Sequence, residues 1–192
     1  MVTPLLFSGA RRGIAAAVAG MLAVLLLPAC SGQDDQLRRR FEAAWAACLG
    51  GECAAQEKIA REWLCRHPSS VAGHYLLGKS YLHRPDANTT IAKGEFETAL
   101  MLLDEGIQPD LPENAPLSED IRAVLHRDTS LALMRALYDG AALVPDAVAL
   151  PVAELALRHV RAGLKYNPQS AYLREMETAL MDILMPSGRV GV

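Results

Sequence analysis

Aromatic residues make up only 5% of this 192-residue chain, and β-branched residues are sparse. No stretch alternates apolar and polar residues for long enough to predict a strand, so a sheet-based fold is not expected. Alanine and leucine are abundant instead, which favours helices throughout and a core of small, closely packed helix faces. Clustered cations are also missing. Arg38, Arg39 and Arg40 form the only basic run, and after residue 29 the chain carries 17 Lys and Arg against 22 Asp and Glu, a formal charge of −5. A phosphate backbone is held by clustered cations, so nucleic acid is not an expected partner.

Catalytic and metal-binding signatures are absent too. The histidines His67, His74, His83, His126 and His159 stand at neither H-x-x-x-H nor H-E-x-x-H spacing, and none pairs with a cysteine at zinc-ligand spacing. They read as turn and surface residues, with His67 and His74 across the Pro68-Ser69-Ser70 turn as the one conceivable cluster. The serines Ser69, Ser70, Ser118, Ser130 and Ser170 fall where helix caps or turns need them, and none lies in G-x-S-x-G or S-x-x-K. No glycine loop has the strand–loop–helix setting of a phosphate cradle. An enzyme, a bound metal, a cofactor and a small-molecule substrate are therefore not expected.

What is present begins at the N-terminus. Arg11 and Arg12 precede a wholly apolar or small run over residues 14–27, followed by Pro28, Ala29 and Cys30. A basic start, a short apolar run and small residues before a cut make up a secretory signal. The run is short for a membrane span, which needs about 20 apolar residues. Pro28 ends the helix and leaves extended backbone for a peptidase. The quartet Leu27-Pro28-Ala29-Cys30 resembles the lipobox of bacterial lipoproteins, with Leu at −3, a small residue at −1 and Cys at +1. The resemblance implies cleavage after Ala29, a diacylglycerol on the Cys30 thiol and an acyl chain on the new amine. Two or three chains suffice for stable anchoring. Ser31 at +2, where Asp would favour inner-membrane retention, points to the outer membrane, facing the periplasm.

The mature chain then reads as a polar tether (30–36), a helical body (37–185) and a short tail (186–192). Helices are predicted from a cap at Asp34 or Asp35 to about residue 48, then over about 53–66, 70–83 and 90–106, the last capped by Thr89 or Thr90. The segment 107–120 holds three prolines and four acids. It marks a loop, or a boundary between halves 37–106 and 118–185. A fifth helix is expected from near Ser118, with the polar Arg127-Asp128-Thr129-Ser130 bending or splitting it. A sixth is expected from Pro151 to 166, and a seventh over 169–184.

Helices of this length joined by short turns prompt a search for a 34-residue period. Leu77, Gly78 and Tyr81 stand at the spacing of the L-G-x-x-Y core of a tetratricopeptide repeat. Ala92, Phe96 and Ala99 supply the small–aromatic–small pattern that follows, given a turn two residues longer than usual. The body therefore resembles a short, degenerate tetratricopeptide-like array of about seven helices, an all-α stack of antiparallel hairpins. Gly78 would let the first helix approach the second, Tyr81 and Phe96 would fill the space between hairpins, and Ala92 and Ala99 would keep the second helix tight. Pro68 before Val71, and Ala156, Gly163, Leu164 and Pro168 further on, echo the ends of other repeats. His74 occupies the position usually held by Trp, and the outer helix pairs lack the core motif.

Three cysteines follow the anchor. Cys53 and Cys65 lie at opposite ends of one predicted helix, roughly 18 Å apart at 1.5 Å per residue, too far to bond. Cys48 and Cys53 flank the Leu49-Gly50-Gly51-Glu52 turn and could pair in an oxidising periplasm, or remain two small core residues. Cys65 is expected as a buried thiol. The function these features predict is a lipid-anchored periplasmic scaffold that holds a peptide or helix of another envelope protein. Its groove residues would be His74, Tyr75 and Lys79, the part of the inner helix not needed for packing. Lipoproteins of this size with such repeats resemble pilotins and assembly factors of pili, secretion channels and outer-membrane machines. The alternative is a small-ligand or cell-wall-binding lipoprotein with its pocket around 107–118.

Overall fold

The computed structural model describes residues 34–140 and 146–185, except for the side chains of 140, 146 and 147. The expected signal, the lipobox with Cys30, most of the tether and the 186–192 tail lie outside them. The chain divides into two compact units, Met1–Arg40 and Phe41–Val192. Of the first, residues 34–40 are described, and they are helical. Everything below concerns the second.

Its described residues are all-helical, with no strand. Helix α1 (41–49) is followed by a 3-10 turn, Cys53–Gln56, and then by α2 (Glu57–Arg66), α3 (Val71–Leu82), α4 (Thr89–Asp104), α5 (Ile121–Gly140), α6 (Asp146–Tyr166) and α7 (Ala171–Leu184). Each helix from α2 onward packs chiefly on its neighbours in sequence, as in a helical bundle. No helix among the described residues is long and apolar enough to cross a membrane.

Local chemistry sets the ends. Gly51 and Gly106 take φ of +102° and +87°, the left-handed conformation that stops α1 and α4 and suits glycine. Ser70 Oγ accepts from Gly73 N at 2.8 Å and opens α3, and Ser170 does the same for α7. The cap of α4 is Asn88, whose Oδ1 accepts from Ile91 N at 3.0 Å; Thr89 and Thr90, the expected caps, are already inside the helix. Helix α5 starts at Ile121 and not near Ser118, because Asp120 turns its carboxylate onto Arg122 N at 2.8 Å. Helix α6 begins five residues before the expected Pro151, which lies inside it. The proline removes one backbone hydrogen bond, and the buried row Ala153, Ala156, Leu157 and Val160 follows it on the same helix.

Helix α5 runs unbroken through Arg127-Asp128-Thr129-Ser130. These polar side chains would compete with the backbone if they were idle. Here each is engaged: Thr129 Oγ1 donates to Leu125 O at 2.8 Å, Ser130 Oγ to Ala156 O at 3.1 Å, and Asp128 pairs with cations.

The core forms two clusters. One gathers Phe41, Trp45, Val71, Tyr75, Leu76, Leu82, Phe96, Leu103 and the start of α5; the other gathers Leu133, Met134, Val160, Leu173, Met176 and Leu180. Leu131, half-buried, touches both. Helix α3 lies in the middle and is buried nearly all round, which explains why it shows so little sidedness.

Candidate functional site

Tyr75 and Lys79 are four residues apart and therefore share one face of α3. Val124 and Arg127, three apart, share a face of α5. The two faces meet a wall built by Pro116, Leu117, Ser118 and Glu119 and a corner built by Cys48 and Leu49. Together these ten residues line an open cleft of about 350 Å³.

The wall belongs to the proline-rich segment 107–120, which is tied down along its length. Asp110 accepts from Ser70 Oγ at 2.5 Å and from Ala72 N at 3.0 Å, so it completes the cap of α3. Trp45 Nε1 donates to Ala115 O at 2.8 Å. Leu111, Ala115 and Leu117 pack on the first core cluster. The segment thus lies against α1 and α3, and its end, 116–119, forms one wall of the cleft.

A chain of charges runs beneath. Lys79 Nζ stands 3.2 Å from Asp128 Oδ2. Arg127 Nε donates to Asp128 Oδ1 at 3.0 Å and its Nη1 to Glu119 Oε1 at 2.8 Å; Asn167 Nδ2 donates to Glu119 Oε2 at 2.9 Å. Asp128 is 1% exposed, an unusual depth for a carboxylate. The Lys79 ammonium is out of line for a hydrogen bond, and Oδ2 accepts none; no other buried side-chain nitrogen or oxygen among the described residues is left so. Burial, and then the Asp128 charge, raise the Tyr75 hydroxyl well above its ordinary range, so it stays protonated. Burial alone would weaken the positive charge of Arg127, but Asp128 and Glu119 more than restore it.

Of the three groove residues expected from sequence, Tyr75 and Lys79 line this cleft. Tyr75 also packs against Trp45 and Phe96 and is nearly buried, so it is needed for packing after all. His74 is on another face: Nδ1 lies 2.7 Å from Glu95 Oε2 and Nε2 lies 3.0 Å from Pro68 O. Burial opposes its charge, but the Glu95 carboxylate and the Pro68 carbonyl raise its pKa. His67 lies on Trp63, with ring centroids 4.1 Å apart. From sequence, Arg127 and Asp128 read only as part of a polar stretch that could bend the fifth helix, and neither they nor Glu119 read as site residues.

Leu77, Gly78, Tyr81, Ala92, Phe96 and Ala99 are all buried where α3 crosses α4. The Phe96 ring lies directly on Gly78. The Tyr81 hydroxyl donates to Glu57 Oε1 at 2.8 Å, with Arg61 and Arg84 over its ring. Cys48 and Cys53 are at bonding distance, 2.08 Å between sulfurs. Cys65 is a free thiol and is exposed, not buried. Helix α2 turns Ala60, Trp63 and Leu64 inward, which leaves Cys65 on its outer side. No group of three or more metal-ligating side chains converges among the described residues.

The chain matches no family model, and no curated protein or solved structure matches it significantly.

Proposed function

We propose that this protein is a lipid-anchored adaptor on the periplasmic face of the outer membrane, held there by acyl chains on Cys30. In this reading its body is a short, degenerate tetratricopeptide-like array. It holds a short segment of another envelope protein in the cleft between Tyr75, Lys79, Arg127 and the 116–119 wall, as an assembly factor or pilotin of an envelope machine would. The observation that carries the reading is the cleft itself, an open site lined by Tyr75, Lys79, Arg127 and the 116–119 wall.

The charge pattern narrows the occupant. Lys79 and Arg127 are the two cations, and Asp128 and Glu119 already neutralise them. The cleft has no spare positive charge for an acidic tail. Lys79 has three N–H donors and spends none in line on Asp128 Oδ2. Such donors suit neutral acceptors, for instance the backbone carbonyls of an uncharged segment. A helix about 10–12 Å across does not fit so small a cleft, which favours an extended piece of chain.

A second reading, a small-ligand or cell-wall-binding lipoprotein, is favoured by one observation. About 350 Å³ falls in the range of roughly 300–1,000 Å³ typical of small-molecule sites, and the cleft borders the 107–118 segment.

Ser118 and Leu49 are exposed and outside the charge network, so Ser118→Arg blocks the cleft without unfolding the body. We expect an envelope protein to co-purify with the wild-type chain from mild-detergent extracts of native cells and to be lost with Ser118→Arg, at an unchanged melting temperature. A partner retained by Ser118→Arg, or none with the wild type, counts against the adaptor. A small molecule retained in native mass spectra of the wild type alone would favour the second reading. Palmitate labelling that disappears in Cys30→Ser tests the anchor.

A further inference from the structure

Two half-buried imidazoles, 33 residues apart in sequence, face each other across the seam between α5 and α6. His126 Nδ1 lies 3.1 Å from His159 Nδ1, and the ring centroids are 5.3 Å apart. The two nitrogens lie between the centroids and point at each other. That is the arrangement of an N–H···N hydrogen bond and not of two ligands aimed at one ion. Such a bond needs one proton on one Nδ1 and a lone pair on the other. When both rings are protonated, both nitrogens are donors, and two like charges are forced together at hydrogen-bond distance.

The surroundings do not repay a second proton. From α4, Glu97 Oε1 stands 3.8 Å from His159 Nε2, but Lys93 Nζ already holds that carboxylate at 2.6 Å. Asp104, also on α4, is held by Arg122 of α5, whose guanidinium lies over the Tyr166 ring stacked on His126. Helix α6 adds the charges of Arg158 and Lys165. Four cations thus face the pair against two carboxylates. Burial first, then the charge of His159, lowers His126 to about 4; burial first, against Glu97, lowers His159. The seam has no slack to let the rings part. A methyl on Gly163 of α6 would meet His126 Cβ at 3.3 Å, Ala123 O at 3.4 Å and Leu173 Cδ1 at 3.1 Å.

We infer that His126 and His159 form an acid-sensitive clasp on the α5–α6 seam, closed by one shared proton and opened when the second ring is protonated. Both groups bind protons more weakly in the folded chain than in the unfolded one. Their contribution is therefore complete above the ordinary histidine value near 6.5 and is lost as pH falls from there towards 4. Asn167 follows α6 and holds Glu119 at the cleft, so opening the seam also loosens the cleft wall. The clasp does not depend on the cleft having a ligand.

The test is an NMR titration of the imidazole signals of the full chain in detergent micelles, with thermal melts over the same range. In the wild type we expect His126 to titrate near 4. In His159→Gln its midpoint should move up by about one unit, since the neighbouring charge is gone while burial remains. The wild-type melting temperature should fall by about 5 °C from about pH 7.5 to about pH 5, and that of His159→Gln by clearly less. His74 and His83 titrate in both proteins, so the difference between them isolates the pair. A wild-type His126 midpoint near 6.5, a midpoint unmoved in His159→Gln, or equal acid losses in the two proteins would overturn the clasp. If His159→Gln does not fold, the assigned wild-type signals decide alone: His126 and His159 midpoints both below 6.5 support the clasp, and either of these two at or above 6.5 refutes it.

Discussion

A methyl group on Gly78 would sit 2.5 Å from Phe96 Cε1 and 2.7 Å from its Cδ1. The ring is fully buried between Tyr75 and the small residues Ala92 and Ala99, so it has nowhere to go. Overpacking of this kind costs about 1–3 kcal/mol, so Gly78→Ala should lower the melting temperature by several degrees. Gly94, one helix away, has nothing within 4 Å of the same methyl. There the helix propensity of alanine should raise stability by roughly 0.5–1 kcal/mol. Opposite signs for the two variants in urea titrations would confirm that contact, not propensity, decides at Gly78; equal signs would contradict it. Gly78 and Phe96 stood out in the sequence through the resemblance to a tetratricopeptide repeat, which makes Gly78 a place of close helix approach and Phe96 a filler of space. Asp128 did not. Its burial depends on Lys79 from another helix and on Arg127, whose own partner Glu119 comes from the loop, and no local pattern carries that combination.

At the scale of elements, the helices could be read from apolar periodicity, while their ends depended on single side chains. Helix α4 illustrates the difference. Three consecutive residues, Asn88, Thr89 and Thr90, are all able to cap, and the sequence does not rank them by position. The structure assigns the role to Asn88, through its 3.0 Å bond to Ile91 N. Asn88→Ala should therefore cost about 1 kcal/mol, while Thr89→Ala and Thr90→Ala should lie within about 0.5 kcal/mol of neutral. A larger loss at either threonine would show the cap to be misassigned. The same limit explains α5 and α6. A polar tetrad looks like a break until its partners on other helices are known, and Pro151, which suits a first helical position, gives no sign that the helix already runs from Asp146. The His126–His159 pair escaped for the same reason: two helices bring it together, and neither shows it alone.

At the scale of the second unit, the proline-rich segment 107–120 invites a division into halves, since composition changes there. The contacts across it run the other way. Asp110 caps α3 by reaching back to Ser70 and Ala72, and Ala115 takes the Trp45 indole N–H. Glu119 joins Arg127 of α5 to Asn167 beyond α6. Helix α5 itself contributes Ile121, Val124, Leu125 and Ala132 to one core cluster and Leu133 and Met134 to the other. Neither cluster can lose α5 without exposing apolar surface, so the two should unfold together. The chain provides its own probes for this, because Trp45 and Trp63 are its only tryptophans and both lie before the segment. Their fluorescence reports the first cluster alone, while far-ultraviolet circular dichroism reports all the helices. We expect the two urea transitions of the full chain in detergent to share one midpoint, and Leu180→Ala, in the second cluster, to move the tryptophan transition as far as the helical one. It should do so by roughly 2–5 kcal/mol, the usual cost of emptying a buried leucine site. Separate midpoints, or a tryptophan signal indifferent to Leu180, would make the segment a true boundary between independently stable halves.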